Sequence, residues 1–256
     1  MYGIEERLSK DGYSLSIFSV EVDSSNFPSI LNDIKDGMYD GILLGVLQKE
    51  FVEELFKVDL PTVSLNEYNF IKDLHYVTVD NFFGGKIAAK YLLDKNHKDI
   101  GIIYFDSRNI NNFLERRNGF YEVLVKNSID LSFELKVPPP PKLEIISSFL
   151  EENKEILLSN KVTAIFSTID IISMYLFSFF DKYKVKIPKD LSIISFDNSI
   201  YCEFLKPKLT SIDHHHKKLG YSAADLLISK ISVNKYYSGK VILEPNIVER
   251  ESVIKR

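Results

Sequence analysis

Four residues have side chains suited to recognising a hydroxylated small molecule: Arg116, Asp197, Asp170 and Asp80. A carboxylate accepts hydrogen bonds from vicinal hydroxyls, and a guanidinium fork donates to them in a fixed plane. Each follows an apolar run of strand character. Asp80 and Asn81 close YVTVDN, Thr168 and Asp170 follow TAIFS, Asp197 and Asn198 close LSIISFDN, and Arg116 with Arg117 comes after DIGIIYF. Open α/β sheets bind their ligands beyond the C-terminal ends of strands, so this placement fits a sugar or another small polyol. A local reading competes with it. An aspartate at a helix start is commonly an N-cap, and Arg116 has Glu115 and Asp106 nearby in sequence as surface partners.

Other chemistries find less support. Three consecutive histidines, His214, His215 and His216, stand in TSIDHHHKKLG. Adjacent residues point to opposite faces of a strand, or about 100° apart on a helix, so they do not converge on one ion. The remaining histidines are His75 and His97, and Cys202 is the single cysteine, so no metal site is expected. No G-x-G-x-x-G opens a helix after a strand, no P-loop occurs, and no G-x-S-x-G elbow presents a nucleophile. The glycines of FFGGK lie inside a helical pattern. No cofactor and no catalytic step are expected.

Composition sets the class. With 45% hydrophobic and 27% charged residues over 256 positions, the chain has the make-up of a globular protein with a sizeable core. No stretch reaches the roughly 20 apolar residues that span a bilayer. MYGIEERLSKDGY carries Glu5, Glu6 and Arg7 where a secretory signal needs an apolar run. With one cysteine, the expectation is a cytoplasmic protein without a disulfide framework. A net charge of −4 with interspersed signs gives no footprint for nucleic acid.

The elements that must position the four residues alternate in type. The pattern predicts strands at YSLSIFSV, YDGILLG, PTVSLN, HYVTVDN, DIGIIYF, Phe133 to Val137, TAIFST and LSIISFD, with helices between them and two closing strands in KVILEPNIVERESVI. One helix is expected from Leu143 to Ser159, and one begins after a cap at Asp80 or Asn81. Such alternation means βαβ units, and the strand count calls for two doubly wound parallel-sheet subdomains. VPPPPK, with Pro138 to Pro141, reads as a rigid connection, and recognition of a partner domain is its sharper alternative.

Several stretches carry a resemblance. YVTVDNFFGGKIAAKYLLDKNHKDIGII, ERRNGFYEVL, IPKDLSIISFDNS, PKLTSIDHHHKKLGYSAADLLISKI and NIVERESV resemble, in this order, the effector-binding core of the lactose-repressor (LacI/GalR) family of bacterial transcription regulators. The resemblance implies a periplasmic-binding-protein-like α/β fold of two subdomains joined by three crossovers, with a small effector in the cleft between them. It places residues 1–80 and 214–243 in the N-subdomain, and 82–212 and 245–256 in the C-subdomain. The histidines then lie on or beside a crossover strand, as a pH-sensitive surface rather than a metal site. Arg116 matches the family arginine before the G-F pair, and Asp197 the cleft aspartate. Asp170 matches the aspartate opening the next helix, where Ile169 departs from the usual polar residue.

The first family strand and the helix-turn-helix headpiece have no counterpart in these residues, which leaves the N-subdomain incomplete by this expectation. Operator DNA would be met only through such a headpiece. A homodimer is also expected, because SMYLFSFFDKY is apolar around more of its helix than one core-facing stripe needs. The function implied is sensing of a small-molecule effector, a sugar or sugar derivative, by a transcription regulator. The alternatives are the soluble receptor of a sugar transporter and an enzyme on the same fold.

Overall fold

A computed structural model describes residues 1–20, 26–45, 49–65, 71, 74–105, 111–138, 143–159, 161–232 and 239–256. Its elements follow in chain order: α1 (Tyr2–Lys10), α2 (Phe27–Asp36), β1 (Ile42–Leu44), α3 (Lys49–Leu55), β2 (Thr62–Ser64), β3 (Tyr76–Val79), α4 (Asn81–Asp94), β4 (Ile100–Phe105), α5 (Asn112–Lys126) and β5 (Phe133–Val137). Then come α6 (Leu143–Glu152), α7 (Lys154–Leu157), β6 (Ala164–Ser167), α8 (Asp170–Lys182), β7 (Ser192–Asp197), α9 (Tyr201–Phe204), β8 (Thr210–Asp213), α10 (His216–Ser232), β9 (Lys240–Leu243) and β10 (Asn246–Val248).

The chain divides into two units. One holds Met1–Val79, the short Asn109–Asn111 piece and His216–Leu243; the other holds Asp80–Arg108, Asn112–His215 and Glu244–Arg256. In the first, four parallel strands run in the order β1-β2-β3-β9. Phe27, Ile30 and Ile34 of α2 recur at helical spacing and meet Phe51, Val52 and Leu55 of α3 over Leu44 and Tyr76. In the second, six strands run β10-β8-β7-β6-β4-β5. All are parallel except β10, which pairs antiparallel with β8 at the edge of this sheet.

Three expectations need revision. Tyr13 to Val20 forms no strand: Leu15, Ile17 and Phe18 are exposed, and among the described residues no open ladder beside β1 takes this segment up. The helix expected from Leu143 to Ser159 breaks at Asn153 into α6 and α7. The surplus apolar face of α8 does not remain outside: Leu176, Phe177, Phe179 and Phe180 are all buried in the core of their own unit. That core is thick because strands buried on both faces need cover from several sides. The motive drawn from α8 for a dimer therefore falls. Of the proline run, residues 139–142 lie outside the described residues.

Candidate functional site

At the end of β7 the backbone leaves the strand abruptly. Asp197 takes φ +114° and Asn198 φ +53°, left-handed values that short polar side chains tolerate better than others. In an unbroken strand, neighbouring side chains point to opposite faces. The reversal instead lets Phe196 and Asp197 meet the same partner, the guanidinium of Arg116. Arg116 Nη1 donates to Asp197 Oδ1 at 3.1 Å, and its guanidinium carbon stacks 3.7 Å from the centroid of the Phe196 ring.

Two further bonds fix the arginine. Nε donates to Asn81 Oδ1 at 2.8 Å, at the start of α4, and Nη1 donates to the Thr168 carbonyl at 2.7 Å, in the turn between β6 and α8. Arg116 is reached because α5 packs on α4 backbone to backbone. A Cβ on Gly119 would lie 1.9 Å from the Phe82 carbonyl oxygen, and one on Gly85 would lie 2.0 Å from that of Arg116. Only glycine permits such an approach. The Arg116 side chain is 3% exposed and that of Asp197 17%.

The expected partner Asp106 lies outside the described residues, and Arg116 is buried rather than solvated. It forms a buried ion pair whose partner is 81 positions away. Among the described residues, Arg116 Nη2 and Asp197 Oδ2 make no hydrogen bond. Thr168 Oγ1 and Ser199 Oγ, on the two turns beside the pair, are buried and equally unsatisfied there.

Asp170 holds the turn from beneath. Its Oδ2 accepts from the Ser199 backbone N at 2.7 Å and from Cys202 Sγ at 3.1 Å, and its Oδ1 accepts from Ser211 Oγ at 2.9 Å. Ser211 Oγ in turn accepts from the Asn198 backbone N at 3.0 Å. Arg250 Nη2 donates to Asn198 Oδ1 from the other side at 2.8 Å. Asp80 caps α4, its Oδ1 accepting from Phe83 N at 2.8 Å. Of the four residues selected from the sequence, the structure joins Arg116 to Asp197, sets Asp170 behind the turn and places Asp80 at a helix start. Asn81, Phe196 and the glycine pair were not selected. The only sequence signal for them was adjacency, Asn81 to Asp80 and Phe196 to Asp197.

Electrostatics follow from burial. Removal from water lowers the Arg116 pKa despite Asp197. For Asp197, burial outweighs the pull of Arg116 and, with Asp170 nearby, pushes the carboxyl up to about 7. Burial and the same Asp170 push the Cys202 thiol up to about 12, which leaves it a poor nucleophile. Between about pH 4 and 7 the folded chain keeps a proton on Asp197 that the unfolded chain releases. This contribution to stability is full below the lower value and lost as pH rises through the upper one. Urea unfolding at pH 5 and pH 8 should therefore show a loss that is smaller in Asp197→Asn. An identical loss in both proteins would contradict the burial argument.

The histidines separate in the same region. His214 N donates to the Asp197 carbonyl at 3.3 Å and its ring lies 6.2 Å from that of Phe196, whereas His216 opens α10. Among the described residues, no group of three or more His, Cys, Asp or Glu side chains is placed to hold a metal ion.

Comparison with known proteins agrees with this architecture. The family described as periplasmic binding protein-like domain matches residues 89–253. The HTH-type transcriptional repressor PurR of Histophilus somni (strain 2336) is 27% identical over 262 residues, covering 99% of this chain and 76% of that protein. A putative transcriptional regulator LacI from Bacillus cereus subsp. cytotoxis NVH 391-98 has a TM-score of 0.86 at 24% identity, covering 100% of this chain and 90% of the other. A LacI family transcriptional regulator from Enterococcus faecium, solved with bound ribose, has a TM-score of 0.84 at 24% identity, covering 100% and 92%. The chain belongs to the periplasmic-binding-protein-like family, in its branch of LacI-type regulators. Its 256 residues form the effector-binding core of a transcriptional regulator. The relatives do not favour a transporter's receptor.

Proposed function

We propose that this core senses a sugar or a related polyol, held by Arg116 and Asp197, with Asp170 and Asp80 acting behind them on the backbone. One observation carries the reading: a buried guanidinium and carboxylate are already oriented by each other, yet each keeps unused hydrogen-bonding capacity at Nη2 and Oδ2. Adjacent donor and acceptor match vicinal hydroxyls, each of which both donates and accepts. The buried, unsatisfied Thr168 and Ser199 hydroxyls add polar capacity of the same kind. The ribose bound by the Enterococcus faecium regulator supports the ligand class.

No catalytic step belongs to this function. In this reading DNA contact belongs to a helix-turn-helix, as in the HTH-type repressors the chain is similar to, and regulation takes place in the cytoplasm. Among the described residues, no helix is long and apolar enough to cross a membrane. A homodimer completes the proposal, and Ile200, Tyr201 and Phe204, exposed together around α9, are one apolar surface in this unit that suits it.

Calorimetry against D-ribose and a panel of other monosaccharides tests the site. A sugar from the panel is expected to bind, and Asp197→Asn to weaken that sugar about tenfold to a hundredfold, the effect of losing one charge-assisted hydrogen bond. Unchanged affinity in a folded variant would remove Asp197 from the site, and a panel without any binder would remove the sugar. Sedimentation of the same samples should give a dimer that Phe204→Asp dissociates.

A further inference from the structure

Of the three consecutive histidines, His215 is held in an unusual way. It takes φ +53° as the last residue of its unit before α10. Its backbone N donates to Asp213 Oδ1 at 2.8 Å, which sets the ring beside the same carboxylate. Nδ1 lies 3.1 Å from Asp213 Oδ2, and Nε2 lies 3.1 Å from the carbonyl oxygen of Glu244. Both partners are acceptors without a hydrogen to give. A neutral imidazole has one N–H and can serve only one of them, whereas an imidazolium has two and serves both.

The two partners belong to different segments. Asp213 ends β8, where the chain is about to leave this unit, and Glu244 is the residue at which it re-enters after β9. We propose that His215 is a protonation-dependent clasp between the end of β8 and Glu244, closed by the imidazolium and released when the ring loses a proton. The ring is about a quarter exposed, so solvent can deliver that proton.

The charged and titratable groups around it are few. β8 presents Asp213, and the segment after β9 presents a backbone carbonyl of Glu244. β10 places the uncharged Asn246 opposite Asp213. β7 sets Asp197, itself titratable, beside Asp213 in the sheet, and along the chain stand His214, His216 and Lys217, the last paired with Glu6 at 2.8 Å. Asp213 is therefore the charge that favours the closed form. Because the clasp joins two of the places where the chain passes between units, its state bears on any response that runs through those passages. It stands whether or not the effector is a sugar.

Nitrogen-15 spectra of the imidazoles and native-state hydrogen exchange, both on the full chain from pH 5.5 to 8.5, test the clasp. Asn tolerates left-handed backbone, so His215→Asn assigns the ring signal without straining φ. At the acid end of the range that ring should show two protonated nitrogens, and Asp213→Asn should leave a smaller doubly protonated fraction at the same pH through loss of the opposite charge. The His215 amide, corrected for intrinsic exchange, should lose protection about tenfold from pH 6 to 8.5 in the wild type but not in His215→Asn. A single neutral tautomer throughout the range, a doubly protonated fraction indifferent to Asp213, or protection independent of pH would each overturn the proposal.

Discussion

At pH 8, where Asp197 is ionised, Arg116→Ala is expected to cost about 3–5 kcal/mol of folding stability, the range for removing one partner of a buried ion pair. Truncation leaves Asp197 Oδ1, Asn81 Oδ1 and the Thr168 carbonyl without their donor, and removes the cation stacked on Phe196. The turn after β7 also loses the charge that faces it. Arg116→Lys should recover little, because an ammonium on a flexible stem cannot reproduce a planar fork bonded at Nε and Nη1 while lying flat on a ring. An arginine paired on the surface, the local reading of the sequence, would cost little stability when removed. Urea unfolding of the wild type and both variants separates the two cases: a change below about 1 kcal/mol for Arg116→Ala would match an exposed pair.

Gly119→Ala is the second large effect. Inside an ordinary helix, replacing glycine by alanine gains up to about 1 kcal/mol. Here the added methyl would stand 1.9 Å from the Phe82 backbone oxygen, and helix backbone cannot rotate aside as a side chain can. α5 must move away from α4, and with it Arg116, whose own carbonyl sits against Gly85 at a similar approach. Overpacking typically costs about 1–3 kcal/mol, and a backbone-to-backbone clash belongs at the upper end of that range. Thermal unfolding should show a marked drop for Gly119→Ala, with weaker effector binding in the fraction that folds. A rise in stability, the normal consequence of the exchange, would mean that the two helices are not held at this distance.

The sequence determined on its own whatever depends on short-range periodicity and residue type. The β-α alternation, the cap at Asp80, the strand Phe133 to Val137 and the carboxylate and guanidinium at strand ends were all legible, because each is set within a few residues. Tyr13 to Val20 shows the limit of such reading: alternation marks a chain able to pair, but a strand exists only where a neighbour offers its hydrogen bonds. The apolar turns of α8 mark another, since the sequence shows how much surface must be covered but not what covers it. Only the tertiary structure joined Arg116 to Asp197 across 81 positions, buried both, and turned Asp170 from a candidate contact into a support of the turn. It also divided three identical neighbours, so that His215 alone bridges Asp213 and Glu244. The physical reason is common to all of these: burial, partner choice and protonation are set by atoms close in space, and nothing in local spacing states which distant residues those will be.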